Sequence, residues 1–394
     1  AILHRRYRHL RLDPYGADRR LRLQPLSPPG RLAPAHGPAA CGAARDPPAG
    51  TGGGSMSALL QGASAPAFVG HPGYRRMFAA DALTLGLFLP LRFYQGDMRV
   101  LLGQARLVEE IDRLGFAAVW VRDVPLFDPR FGDAGQVFDP FTYLGYLAAR
   151  TRRIALATGS AVLALRQPVD LAKAAASVDR LSGGRLVLGL ASGDRPVEFP
   201  AYGLEHAQRG ERFAQGLDYL RQLLHGCRHV ASPLGTLDDA ELLPRPPAGA
   251  IPLVVTGSAR QPADWLARQA DGWLTYPEST VDASGPRRLA GKIRAWRMSI
   301  ADGGFRPHMT NEWLDLVDDP AYPRTPLHGG YVLRTGRNGL IELLGEWRAA
   351  GVNHAALGIQ FSARPAAEVI QELAEEVLPL FPSHPGVQPA SMDW

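Results

Sequence analysis

The sequence predicts an α/β chain folded as one (β/α)8 TIM barrel, with two long insertions and a disordered N-terminal leader. Three observations carry that prediction. From Thr84 onward, short apolar runs alternate with longer stretches of helical period, the pattern of a parallel sheet with crossover helices. The runs number eight, enough to close a ring. No G-x-G-x-x-G follows the first of them, where LGLFLPLRF stands instead, and this counts against an open doubly wound sheet with a dinucleotide site.

Thr84–Phe88 (TLGLF) is the first expected strand, and the helix Met98–Leu114 returns the chain. Gly115 then ends that helix, because glycine enters the left-handed conformation at little cost. Ala118–Val121 (AVWV), Ile154–Thr158 (IALAT) and Leu186–Leu190 (LVLGL) are the next three strands. Their helices are Pro140–Ala149, Val169–Leu181 and Gln208–Leu224. Pro252–Val255 and Trp273–Thr275 follow, with helices Pro262–Ala270 and Arg287–Ile300. The seventh strand is poorly marked, near Pro307–Thr310, with helix Asn338–Ala349; Ala355–Gly358 and helix Pro365–Leu378 complete the series. Pro140, Pro262 and Pro365 stand at or near first helical positions, where a missing N–H costs nothing, and Gly351 caps its helix as Gly115 does. The two insertions are 225–250 and 311–337, both Pro-bearing. Connections of that length serve as lids or substrate loops, or as surface insertions without a role.

Residues 1–55 read as an Arg/Pro/Gly-rich leader, 56–382 as the barrel and 383–394 as a tail. The leader lacks an apolar period of either kind and is broken by Pro28, Pro29, Pro47 and Pro48, so it cannot bury enough to order itself. It reads as an over-extended N-terminus, or as an Arg-rich targeting presequence. It also accounts for the basic charge. Its nine arginines against three aspartates exceed the whole chain's +5 and leave the remainder at −1. A near-neutral body argues against nucleic acid as a partner. No apolar run is long enough for a transmembrane helix, so no membrane role is expected. Two cysteines, Cys41 and Cys227, cannot build a disulfide framework or a Cys-rich zinc site, which suits a cytoplasmic location.

A barrel of this type keeps its active site at the C-terminal ends of the strands, and the residues there are polar. They include Arg122 and Asp123 after the second strand, Ser160 after the third, and Ser192, Gly193, Asp194 and Arg195 after the fourth. Gly257, Ser258 and Arg260 follow the fifth and Tyr276 the sixth. The run TGSARQPADW has the form of a phosphate cradle. Gly257 permits close backbone approach, Ser258 offers a hydroxyl, Arg260 offers charge, and a helix N-terminus follows. A Gly-Ser turn before a helix is also a common structural turn. Arg122, Asp123 and His308 are the candidate catalytic groups: Asp123 reads as a general base, or as a carboxylate beside Arg122 that orders its loop, and His308 is placed at the barrel mouth. Phe88, Trp120, Phe127 and Trp273 read as pocket lining or as plain core. The histidines are scattered, so no metal site is expected.

The run Pro168–Asp194, PVDLAKAAASVDRLSGGRLVLGLASGD, resembles the signature of the bacterial luciferase-like flavin-dependent monooxygenases. WVRDVPLFDPRFGDAGQVFDP (120–140), RPVEFPAYG (195–203), IPLVVTGSARQPADWLARQADGWLTYP (251–277) and GVNHAALGIQFSARPAAEVIQELAEEVLPLF (351–381) resemble one subgroup of unknown substrate. The likeness runs from about Tyr74 to Pro382. It implies a barrel that binds reduced FMN, acts on a small organic substrate with O2, draws on a separate flavin reductase and forms a homodimer. It also implies that Gly257, Ser258, Arg260, Ser192, Gly193 and Asp194 meet the FMN phosphate, and that Ser160, Arg166, Gln167 and Tyr276 meet the cofactor. Several relatives have His where this chain has Gln167, and the luciferases' catalytic histidine is replaced by Arg122-Asp123, so light emission is not expected. Alternatives are a deazaflavin-dependent hydride-transfer enzyme on the same barrel, a non-catalytic flavin-binding protein, and a barrel hydrolase. The last would need a metal cluster or carboxylate pair that the sequence does not offer.

Overall fold

A computed structural model describes residues 68–91, 103–128 and 138–385. The leader, the expected helix start at Met98, and the end of the chain lie outside the described residues. Eight parallel strands close into a ring: β1 (Thr84–Leu89), β2 (Ala118–Val121), β3 (Ala155–Thr158), β4 (Leu186–Ala191), β5 (Leu253–Thr256), β6 (Gly272–Thr275), β7 (His308–Leu316) and β8 (His354–Gly358). Closure is made where β7 pairs with both β6 and β8, and β8 pairs back onto β1, Thr84 opposite His354.

Helix α1 (Pro72–Met77) precedes the ring and was not expected from periodicity, being too short to show any. It stoppers the N-terminal end: Tyr74 and Met77 pack with Trp120, Val187 and Met309 in the barrel interior. Helices α2 (Gln104–Leu114), α3 (Pro140–Arg150), α4 (Pro168–Ser182), the single turn α5 (Glu198–Ala201), α6 (Arg209–Leu224), α7 (Ala263–Gln269), α8 (Ser284–Met298), α9 (Arg337–Ala350) and α10 (Ala366–Glu372) complete the set. Strand alternation divides the core in two. Leu85, Leu87 and Leu89 face the helices and join the larger apolar cluster, while Phe88, Trp120 and Ala157 face inward. Gly115 and Gly351 end α2 and α9 with φ of 99° and 96°, as expected of C-terminal glycines.

β7 departs from expectation. It runs nine buried residues, HMTNEWLDL, where a short strand near Pro307–Thr310 was expected and the rest was assigned to an insertion. Its polar residues hid it: Asn311, Glu312 and Asp315 interrupt the apolar pattern because the strand overhangs the rim. There Leu314–Leu316 pairs with Val332–Thr335, which in turn pairs antiparallel with Thr325–Leu327. The segment 225–250 also carries regular structure, a hairpin of Val230–Ser232 against Gly235–Leu237.

Candidate active site

The interior of the barrel mouth has an aromatic floor. The Phe88 ring lies 6.0 Å from Trp120 and 5.6 Å from Trp313, and the Arg122 guanidinium sits 5.5 Å over the Trp313 ring. A Cβ at Gly159 would stand 2.6 Å from the Phe88 ring and 3.0 Å from Trp120, so glycine lets the β3 backbone lie against that floor. The Gly159–Ser160 peptide is cis, and the Ser160 hydroxyl bonds the hydroxyl of Thr256 at the end of β5. Gln360, two residues beyond β8, is 1% exposed, and neither atom of its amide finds a partner among the described residues. A buried amide with a donor and an acceptor both open suits a ligand that offers the reverse pair.

On the rim between β4 and β5 positive charge collects. Gly193, at φ 87°, brings the backbone against Val162 and Phe199, where a Cβ would stand about 3 Å from both. Gly257, Ala259 and Arg260 all take positive φ, and a Cβ at Gly257 would meet open space. The turn is anchored on three sides. Trp273 Nε1 donates to the Gly257 carbonyl at 2.8 Å, the Arg260 N–H donates to Ser258 Oγ at 3.2 Å, and Gln261 Nε2 donates to the Gly210 carbonyl at 2.7 Å. The last bond ties the turn to the start of α6, whose Gly210 leaves room for the Arg260 stem. Arg209 donates to the His206 carbonyl at 2.7 Å and lies 3.3 Å from its Nδ1. The His206 pKa is lowered by burial first, then by Arg209 and Arg260, with Asp194 opposing; the Arg209 guanidinium feels burial, then Arg260. His206 Nε2 has no partner among the described residues. Two guanidiniums beside an imidazole whose basicity they lower are placed to meet an anion. His206 and Arg209 were not singled out from sequence, though the run His206–Arg209 is polar and follows a quoted motif.

Several expected site residues do something different. Asp123 pairs with Arg166, at 2.7 and 2.9 Å, rather than with its neighbour Arg122, and Oδ2 accepts the Val162 N–H. The pair raises the Arg166 pKa against the pull of burial and removes Arg166 from ready contact with a ligand. Gln167 caps α4 without a side-chain bond and is exposed. His308, expected at the mouth, is instead the first residue of β7 and is fully buried between the wall and the helices. Its Nε2 lies 3.0 Å from Thr275 Oγ1, its ring edges Trp273, and burial lowers its pKa to about 3. A group at a strand's start, sealed from the mouth, cannot reach a ligand there. Of the aromatic positions, Trp120 is core and Phe127 is exposed.

Glu198, within the run RPVEFPAYG, carries no sequence signal of its own. It lies at 1% exposure at the start of α5, with Oε1 unpartnered among the described residues. Burial pushes its carboxyl up to about 7, against Arg195 and with Asp123 and Asp194 adding to the rise. A buried acid near neutrality is suited to hold or release a proton.

A closed parallel barrel with a cationic rim over an aromatic floor defines the class: a (β/α)8 barrel protein with its site at the C-terminal ends of the strands. A model of the luciferase-like monooxygenases matches residues 84–298, and the chain belongs to that family. The 4-hydroxyprotoasukamycin monooxygenase of Streptomyces nodosus subsp. asukaensis is 32% identical over 221 residues, 55% of this chain and 52% of that protein. The matched stretch thus spans about half the length of that relative. The monooxygenase RslO1 from Streptomyces bottropensis superposes with a TM-score of 0.64 at 21% identity, over 76% of this chain and 99% of that one. An F420-dependent secondary alcohol dehydrogenase superposes at 0.61 and 18% identity, over 75% and 98%. At these identities the two structures share the fold. No helix among the described residues is long and apolar enough to cross a membrane, and no group of three metal-ligating side chains occurs among them.

Proposed function

We propose that the chain is an FMN-dependent monooxygenase, which oxygenates a small organic substrate with reduced flavin and O2. The cationic rim of Arg209 and Arg260, with the His206 imidazole beside them and Ser192, Gly193 and Ser258 adjoining, carries this reading, because it suits the phosphate of FMN. In this reading Asp194 orients the cations, Ser160 and Tyr276 border the cofactor, and the open amide of Gln360 meets the imide edge of the flavin ring. Reduced flavin, when bound, supplies the electrons that activate O2. The residues of the chain orient, exclude water and move protons. Phe88, Trp120 and Trp313 keep the floor dry, Arg122 holds charge over it, and Glu198 carries a proton near the rim. Asp123 and Arg166 are assigned to positioning the rim, and Gln167 and His308 are given no role.

The further parts of the reading are a barrel over 56–382 flanked by the leader and tail, a homodimer, a separate flavin reductase, and a cytoplasmic location. The deazaflavin alternative draws on the F420-dependent neighbour of the same fold. Anaerobic titration with reduced FMN and reduced deazaflavin, followed by admission of O2, tests both. Preferential binding of reduced FMN and oxygen-dependent reoxidation altered by the protein support the monooxygenase. Preference for the deazaflavin without oxygen consumption supports hydride transfer, and no flavin binding sinks both.

A further inference from the structure

A cavity of about 830 Å3 opens beside the Gly257–Ser258 turn. Its walls come from the end of β6, the loop 276–281, α8, the overhang of β7, and the strand pair at 325–335. Its volume is that of a small-molecule site. Glu312 lines it at 3% exposure. One carboxyl oxygen accepts the Trp313 N–H at 2.9 Å, and the Thr280 side chain bonds the same group. No basic side chain is paired with Glu312 among the described residues. Of the charged groups on the surrounding elements, Glu278 pairs with Arg288 and Lys292, Arg324 with Glu342 and Glu346, and Asp315 with Arg334, Asp282 accepts the Ser284 N–H, and Arg287 and Arg294 of α8 are exposed. Trp273 and Tyr276 add aromatic surface to the same wall.

We infer that this cavity binds an organic ammonium ion, with its charge against Glu312 and its apolar body against Trp273 and Tyr276. A buried carboxyl with two hydrogen bonds and no cation is incomplete as an anion, and a ligand cation completes it. Aromatic faces attract the same charge. Burial pushes the Glu312 carboxyl up to about 8, so at neutral pH it holds a proton, which passes to the buffer when the ammonium docks. The cavity shares Ser258 and Tyr276 with the proposed flavin site, but the inference does not rest on the flavin reading, and its test contains no flavin.

Benzylamine and tryptamine, with benzyl alcohol and tryptophol as uncharged counterparts, are titrated into the full chain by calorimetry in two buffers of different ionisation heat. The ammonium ligands are expected to bind more tightly than their alcohols and to release a proton. Glu312→Gln, with its fold checked by circular dichroism, is expected to weaken the amines by about tenfold or more and leave the alcohols unchanged. Equal binding of amine and alcohol, amine binding without proton release, retention of amine affinity in Glu312→Gln, or no amine binding by the wild-type chain each overturns the inference. Should Glu312→Gln not fold, the proton count and the amine-to-alcohol comparison in the wild-type chain decide it.

Discussion

The Asp123 carboxylate holds the Arg166 guanidinium at two points, Nη2 2.7 Å from Oδ1 and Nε 2.9 Å from Oδ2. Oδ2 also takes the Val162 N–H, so one buried side chain joins the mouth of β2 to the backbone after β3 and to the approach to α4. Three donors leave a base little free lone pair with which to take a substrate proton. Asp123→Asn therefore acts on stability first. With Arg166 a quarter exposed, the loss is expected at about 1–3 kcal/mol, read as a lower urea midpoint with an unchanged slope. A pH–rate profile that lost its acid limb while stability held would return Asp123 to the role of base.

Trp120 Nε1 donates to His354 Nε2 at 2.9 Å, which fixes the imidazole as neutral with its proton on Nδ1. Nδ1 lies 2.7 Å from the Thr84 hydroxyl, and that hydroxyl donates to the Met77 carbonyl. The chain of bonds joins β2, β8, β1 and α1 at the closed end of the barrel. Burial lowers the His354 pKa to about 3. Nitrogen NMR is expected to show the Nδ1–H tautomer unchanged down to about pH 5. Trp120→Phe strands Nε2 and is expected to lose about 1–3 kcal/mol. An imidazole that titrates near its ordinary value would contradict the assignment.

The barrel was legible because seven of its strands alternate apolar residues between an interior and a helix layer, and because Gly115 and Gly351 mark helix ends by backbone conformation alone. β7 was not, since Asn311, Glu312 and Asp315 serve the overhang and cavity and break the apolar pattern that reveals a strand. The site was partly legible. Glycines and serines after strands announce themselves by position, and Gly193 and Ser258 do lie in the turns after β4 and β5. Residues that matter through distant neighbours were not: Glu198 is a lone acid in the sequence and gains interest only when burial raises it, and His206 and Arg209 gain it only beside Arg260. His308 misled for the converse reason, because its distance from the mouth depends on where β7 begins.

The buried acid Glu198 gives stability a definite pH dependence. Its folded-state value, about 7, lies above the ordinary 4.5, so the folded chain keeps a proton that the unfolded chain releases. The cost of ionising it is absent below about pH 4.5, grows as pH rises, and is complete above about pH 7, reaching roughly 3 kcal/mol at most. Glu198→Gln removes that term. Relative to wild type the variant is expected to gain stability progressively between those limits in denaturation curves measured across pH. Glu312, pushed up to about 8, leaves a residual slope of the same sign. A wild-type-to-variant difference that is the same at both ends of the window would rule the account out.

Arg260 and Arg209 offer a sharper test of the anion reading than loss of activity does, because FMN and riboflavin differ only by the phosphate. Arg260→Gln keeps length and hydrogen bonding but removes charge from the rim. A lost charge-assisted contact is expected to weaken FMN by about tenfold while riboflavin binding is unchanged. Arg209→Gln is expected to do the same. Raising salt should weaken FMN in the wild-type chain and do so less in the variants, since screening acts only on the charge that remains. Equal losses for FMN and riboflavin would mean that the arginines shape the rim rather than meet a phosphate. The anion would then have to be sought elsewhere on the barrel.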